Sequence, residues 1–266
     1  MNTVLTIAGS DSCGGAGIQA DLKTFAALRT YGLSVITAVT AQNTCGVMAI
    51  REMDREIIQA QMDAIYADIP VAAVKIGMLS SREIVCVVAA GLARYRAEKV
   101  VLDPVMLSKS GRSLLSDEAV ASLKTDLIPQ ACVVTPNLPE AEALAGFAVT
   151  DEASMLRAAK LIYEMGAKHV VIKGGHLKGA AADLFYDGKT VEVFSQARLI
   201  AKHTHGTGCT FSSAIAAGLA KGLSVRDAVV QAKAYITMTI AHGFVLGKGV
   251  GPMQHFYGLY EKAGKC

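Results

Sequence analysis

The chain lacks most of the signals that mark a binding module or a membrane protein. Its formal net charge is only +3, from 26 basic and 23 acidic residues. With no basic run and no interleaving of basic and aromatic residues, nucleic acid is excluded as a partner. The longest uncharged run, residues 30–50, holds Gln42, Asn43, two glycines and several threonines, which is the wrong composition for a membrane span. The opening "MNTVLTIAGS" has neither a basic n-region nor the character of a transit peptide, so a cytoplasmic protein is expected. Six cysteines are scattered without a C-x-x-C pair or a histidine at zinc spacing, and reduced thiols are the reading. Internal repeats, low-complexity tracts and Pro/Ser linkers are absent too, so the whole chain, 1–266, is read as one domain.

What is there is apolar: 52% of 266 residues, ample for a large buried core. Short β-branched runs alternate with segments of helical period. "TVLTIAG", "LSVITAVTA", "AAVKIG", "KVVLDPV", "CVVTPN" and "HVVIKGG" read as strands. The segments after the first five read as helices, including Arg55–Ala67, Arg82–Arg96, Asp117–Leu127, Pro139–Ala145 and Glu152–Met165. "DLFYDGKTVEVFS" reads as a hairpin turning at Asp187-Gly188. Two long helices close the pattern, near 207–220 and 225–242. Near-continuous apolar strands separated by helices imply a mostly parallel α/β sheet covered on both faces.

In such sheets the ligand lies beyond the carboxyl ends of the strands. Polar or glycine residues cluster at six of those ends: Gly9–Asp11, Gln42–Asn43, Met78, Asp103, Asn137 and Lys173–Gly175. "SDSCGGAGIQAD" is a glycine loop opening a helix, without the spacing of a dinucleotide fingerprint. "DGKT" is not a P-loop: Asp183 stands where the first glycine belongs, and no helix follows. Asn137 and Glu140 at a helix start suit a magnesium–water shell, and equally a helix cap with an acidic first turn. Asp103 before Pro104 is either a turn residue or part of a metal–phosphate site. Lys173 is either a solvated lysine or a phosphate contact. "HTHGTGCTFSSAIAAG" puts a glycine loop into the first turn of a helix, an anion site by its exposed amides. If these groups converge they supply what phosphoryl transfer demands, namely positioning and charge neutralisation.

The chain resembles the ribokinase-like superfamily, through "GTGC" where sugar kinases carry GTGD and through N-x-x-E at 137–140. Within it, the chain is similar to the hydroxymethylpyrimidine/phosphomethylpyrimidine kinases of thiamine biosynthesis. The stretches that carry this are "LTIAGSDSCGGAGIQADLKTF", "AQNTCGV", "KIGML", "VLDPVMLSKSG", "TPNLPEAEAL", "KGGHL", "THGTGC" and "GKGVGPMQHF". The resemblance covers essentially the whole chain and departs from the family at Asp103-Pro104, where Asp-Thr also occurs.

It implies a three-layer α/β/α sandwich and ATP-dependent phosphorylation of an aminopyrimidine alcohol, then of its monophosphate. ATP and Mg²⁺ are the implied cofactors, and a homodimer the implied assembly. A pyridoxine/pyridoxal kinase of the same superfamily is the alternative, and a non-catalytic pyrimidine sensor a more distant one. By position, Gln42 pairs with the ring's amine and nitrogen, Met78 packs on the ring, and Gly9, Ala16 and Asp21 complete the substrate site. Asn137, Thr207, Lys173 and Lys233 fall along the nucleotide and phosphate path, and Asp103, Asn137 and Glu140 at the magnesium. Cys209, with Gly206, Gly208 and Lys173, falls at the catalytic anion hole. A free thiol titrates near ~8.5. The helix N-terminus lowers that and bound phosphate opposes it, so a mixed or mostly neutral thiol is expected.

Overall fold

The computed structural model describes residues 1–107, 111, 114–175, 181–196, 199 and 201–264. Residues 108–110 of "VLDPVMLSKSG", residues 176–177 of "KGGHL" and Cys266 lie outside the described residues. One nine-stranded sheet runs through the molecule in the order β3-β2-β1-β4-β5-β6-β7-β8-β9. Its middle is parallel: β2 (Tyr31–Asn43), β1 (Thr3–Asp11), β4 (Ala73–Ile76), β5 (Val100–Leu102), β6 (Val133–Val134) and β7 (Val170–Gly174). Both edges are antiparallel. β3 (Gly46–Glu52) folds back on β2, while β8 (Ala181–Tyr186) and β9 (Val191–Gln196) follow β7.

The central strands are mostly apolar because each of their faces meets a layer of helices. Leu5, Ile7, Val100, Leu102, Val170 and Ile172 enter one core. It is shared with α2 (Arg55–Asp68), α3 (Arg82–Arg94), α4 (Asp117–Ser122), α5 (Leu138–Ala145) and α6 (Glu152–Glu164). Val4, Val101 and Val171, one residue out of step, enter the other core with α1 (Gly17–Ala27), α7 (Thr207–Ala220) and α8 (Val225–Ala241). The period-2 geometry of a strand thus divides one apolar run between two cores, and the expected three layers are present.

Three features differ from the sequence reading. β3 was not expected: it is an edge strand with Met48, Ala49 and Arg51 exposed, so it shows no apolar face. The helix expected over 117–127 is α4 followed by a π turn (Leu123–Leu127) and a 3-10 turn (Ile128–Gln130). Its apolar spacing survives the change because Leu123, Leu127 and Ile128 all stay buried. A short α9 (Tyr257–Lys262) adds a last turn with no buried residue. The hairpin at Asp187-Gly188 forms as read, with the Asp187 carboxylate accepting from the amides of Lys189 and Thr190 at 2.9 and 2.6 Å.

Candidate active site

The parallel strands end along one edge of the sheet, and a cavity of about 810 Å³ opens there. Its first wall is the loop between β1 and α1. The Asp11 carboxylate accepts from the amides of Cys13, Gly15 and Ala16 at 2.8, 3.0 and 2.8 Å, and this draws the glycine loop into a turn. Gly9 and Ala16 line the cavity there. Beside them, the end of β2 presents Gln42, whose main chain is clamped on both sides by the Ser12 hydroxyl. Met78, after β4, closes this end as an almost fully buried thioether. His205 stands between Gln42 and Asp11, its Nε2 3.1 Å from the Gln42 carboxamide and 3.0 Å from Asp11 Oδ2.

The second wall is the start of α7. Gly206 caps this helix in the left-handed region, at φ 85°. A Cβ there would stand 1.8 Å from the Gly15 carbonyl oxygen, so only glycine lets this turn meet the first loop. Thr207, Gly208 and Cys209 follow on the cavity surface. The amides of a first helical turn have no partner within the helix and aim positive partial charge outward. Gly208 permits the closest approach: a Cβ would lie 3.3 Å from Lys173 Nζ and 3.6 Å from Asp103 Oδ2.

Those two groups form the third wall. Lys173 Nζ donates to Asp103 Oδ1 at 2.7 Å and stands 3.9 Å from Glu140 Oε2. Asp103 is anchored by the hydroxyls of Thr135 and Ser212, at 3.2 and 3.3 Å. Burial works against the Lys173 ammonium, but Asp103 and Glu140 outweigh it and hold the pKa above its ordinary value. Burial drives Glu140 the other way, above the usual carboxylate range; Lys173 opposes the rise and Asp103 adds to it. Asn137 and Glu140 make the full capping box of α5. Asn137 Oδ1 accepts from the Glu140 amide at 2.9 Å, and Glu140 Oε2 from the Asn137 amide at 2.7 Å. The capping role is therefore real, and both residues still line the cavity beside Lys173. Lys233, from α8, also reaches the cavity, with Nζ 2.6 Å from Asp183 Oδ2.

One assignment needs correcting. Asp21 was placed in the substrate site, but it is fully buried and does not line the cavity. Its two oxygens accept from Lys75 at 2.9 and 2.8 Å, from Thr6 Oγ1 at 2.6 Å and from Ser213 Oγ at 2.7 Å. With four hydrogen bonds from three donor groups on one carboxylate, Asp21 ties α1, β1, β4 and α7 together behind the wall. The expected tendency of Cys209 also resolves to one side. Burial pushes its thiol up to about 11, with Lys75 pulling down and Asp21 and Asp103 pushing further up. The thiol is neutral at pH 7, so the helix terminus does not prevail.

Three residues of the site escaped the sequence reading. Lys75 carried a signal, being a lysine inside the otherwise apolar "AAVKIG". His205 stood within the quoted glycine loop but received no role. Asp183 was noticed only as the wrong residue for a P-loop.

The profile of the phosphomethylpyrimidine kinase family matches residues 11–254. A Rhizobium meliloti hydroxymethylpyrimidine/phosphomethylpyrimidine kinase is 54% identical over 257 residues, 95% of this chain and 96% of that one. A thiamine biosynthesis bifunctional protein of Geobacter sulfurreducens is 51% identical over 254 residues, 95% of this chain and 52% of its own length. Among solved structures, a Bacillus subtilis pyridoxal kinase in an ADP complex superposes with a TM-score of 0.89 at 42% identity, over 96% of this chain and 97% of that one.

Proposed function

The chain belongs to the phosphomethylpyrimidine kinase family, and from that premise we propose how its cavity carries out the family's reaction. The enzyme transfers phosphate from ATP to the alcohol of 4-amino-5-hydroxymethyl-2-methylpyrimidine, and then to the resulting monophosphate, in thiamine biosynthesis. The observation that carries the reading is the meeting of Lys173 and Asp103 at Gly208, which sets a cation and a carboxylate against the first turn of α7. Phosphoryl transfer needs little covalent help from the protein, and a fixed cation at a helix N-terminus stabilises charge where it develops.

Gln42 is the ring reader, because a carboxamide offers one donor and one acceptor to an aminopyrimidine edge. Met78 is the apolar plate beneath the ring, with Gly9 and Ala16 shaping the pocket floor. Gly206, Thr207, Gly208 and Cys209 receive the transferring group, and Lys173 neutralises it. Lys233 and Asn137 lie toward the nucleotide.

Asp103 and Glu140, with Asn137, are the residues suited to Mg²⁺. The set fits an ion that takes one or two carboxylates and leaves its other positions to water and phosphate. Among the described residues no cluster of three or more His, Cys, Asp or Glu would hold a metal unaided. Bound with ATP, Mg²⁺ supplies neutralisation of charge on the phosphate oxygens. The chain acts as a single kinase domain and a homodimer in the cytoplasm, and no helix among the described residues is long and apolar enough to cross a membrane.

The deciding experiment measures ATP consumption with the pyrimidine alcohol, with pyridoxal, and with neither. Turnover is expected with the pyrimidine, well above the other two. Turnover with pyridoxal alone would transfer the assignment to a pyridoxal kinase, and turnover with neither would point to a sensor.

A further inference from the structure

Two partners crowd one ring nitrogen of His205. Nε2 lies 3.0 Å from Asp11 Oδ2 and 3.1 Å from the terminal carboxamide nitrogen of Gln42. Burial works to raise the Asp11 pKa, but hydrogen bonds from His205, Ala16 and Cys13 outweigh it and hold the carboxyl below its ordinary value. Asp11 is therefore a carboxylate, which only accepts. Nε2 must carry the proton, since otherwise two acceptors face each other in a buried contact. Once Nε2 is a donor, a carboxamide nitrogen opposite it sets donor against donor.

The two ends of a carboxamide have nearly the same shape, so the hydrogen-bond network decides which end faces which partner. Turning the Gln42 amide end for end resolves the conflict. Its oxygen then shares the His205 proton with Asp11. Its NH₂ faces Thr40 Oγ1, 3.3 Å from that end of the amide. The Thr40 hydroxyl keeps its hydrogen for the Ser10 carbonyl at 3.1 Å. Each of these contacts then pairs a donor with an acceptor. In the opposite orientation Thr40 must divide one hydrogen between two acceptors, and Nε2 has none to give Asp11.

We propose that His205 is a specificity-determining residue: held as the Nε2–H tautomer by Asp11, it locks the Gln42 carboxamide with its oxygen toward His205 and its NH₂ toward Thr40. The proposal rests on Gln42 as the ring reader. It settles which way the substrate's alcohol points. In the pyrimidine, the carbon bearing the amine stands between a ring nitrogen and the carbon bearing the hydroxymethyl group. The ring nitrogen accepts from the Gln42 NH₂, and the amine donates to the Gln42 oxygen. Ring nitrogen, amine and hydroxymethyl then run in that order from Thr40 toward His205. Residues 206–209, the anion loop, follow His205 directly in the chain, so the alcohol is carried toward them. The opposite amide would turn the ring over and send the alcohol toward Thr40.

The test combines ring spectroscopy with a double-mutant cycle on the full chain. ¹⁵N NMR of the histidine-labelled protein is expected to show His205 protonated at Nε2; a neutral ring protonated at Nδ1 alone overturns the proposal. His205→Leu is expected to raise the KM for the pyrimidine alcohol by about tenfold or more, the loss of one to two oriented hydrogen bonds, and to lower kcat, with the KM for ATP held within about twofold. His205→Gln keeps a donor near the Nε2 position and is expected to recover most of that KM. The double variant with Gln42→Met is expected to be no worse than the worse single variant, because His205 acts through Gln42. Multiplying losses, or a damaging Gln42→Met beside a harmless His205→Leu, overturn the role of His205 alone. If Gln42→Met leaves the pyrimidine KM within about twofold, the Gln42 assignment falls and takes this proposal with it.

Discussion

Of the three lysine–aspartate pairs near the carboxyl edge of the sheet, two set the same chemical groups in the most different surroundings. In one, Lys75 and Asp21 meet with side chains 0% exposed. In the other, Lys173 and Asp103 meet at 2.7 Å with Lys173 14% exposed and aimed at the start of α7. The first carboxylate accepts four hydrogen bonds from three donor groups on three other elements, so it has nothing left for a substrate. The second keeps Lys173 within reach of the cavity and of Glu140. Identity of side chain therefore says little about role here; the number of hydrogen bonds already spent on the carboxylate, and whether that carboxylate borders the cavity as Asp103 does and Asp21 does not, separate a strut from a working group.

The largest effect should come from breaking the sealed pair. Lys75→Met leaves the Asp21 carboxylate buried with only two hydroxyl donors, and breaking a buried pair on one side costs about 3–5 kcal/mol. Chemical denaturation should show that loss. The double variant Lys75→Met/Asp21→Leu should cost less than the sum of the two single variants, since the uncompensated charge is gone. An unchanged denaturation midpoint with lost turnover would make Lys75 a working cation, and the contrast between the pairs would fail.

The open pair should respond the other way. Lys173→Met removes the cation facing the anion loop and should lower kcat by about 10²–10³, in line with loss of one preorganised charge-stabilising group. Its stability loss should be smaller than that of Lys75→Met, because Asp103 borders the cavity and Lys173 is 14% exposed, so water can solvate the carboxylate left behind. Steady-state kinetics beside a melt compares the two. A loss of stability equal to that of Lys75→Met, with kcat intact, would make Lys173 a strut as well.

Cys209 lies between the pairs and feels both. Lys75 draws its pKa down while Asp21 and Asp103 push it up, and burial dominates at about 11. At pH 7 roughly one thiol in ten thousand is then ionised. A neutral group suits a site that must receive an alcohol and later a phosphate. Cys209→Asp puts a carboxylate there, and the second acceptor, already an anion, should suffer the larger loss, by several kcal/mol at lowered dielectric. Assaying alcohol and purified monophosphate separately checks this. Equal fractional losses would leave Cys209 as a packing residue of the loop.

The same contrast explains what the sequence could disclose. The parallel core was legible because each buried strand is a short apolar run between helical periods, and both cores draw on alternate residues of the same run. β3 was not, because an exposed edge strand carries no apolar alternation. The cavity wall was largely legible, since Gln42, Met78, Asp103, Asn137, Lys173 and the 206–209 loop sit at strand ends or a helix start. Asp21 was misread for a physical reason. Its position in the family put it in the substrate site, and only the fold shows that Lys75, 54 positions away, has already taken its carboxylate. His205 was passed over for the same kind of reason. Its role depends on Asp11, 194 positions distant, which local spacing does not report.

The smallest expected effect tests Glu140, where two roles share one residue. Its Oε2 accepts the Asn137 amide in the capping box and stands 3.9 Å from Lys173. Glutamine also serves at this position of a capping box. Glu140→Gln should therefore keep the cap and remove the charge, with the melting temperature within a few degrees of the parent. If Glu140 works only as a cap, kinetics in saturating magnesium and the magnesium requirement should both stay put. If it also borders the ion, the magnesium concentration for half-maximal rate should rise several-fold, an effect on the order of 1 kcal/mol for one carboxylate acting partly through water. A magnesium titration of the rate, run beside the melt, separates the two roles. A destabilised variant with an unshifted magnesium curve would assign Glu140 to α5 alone. Of the proposed ligands, Asp103 would then be the only carboxylate left facing the ion.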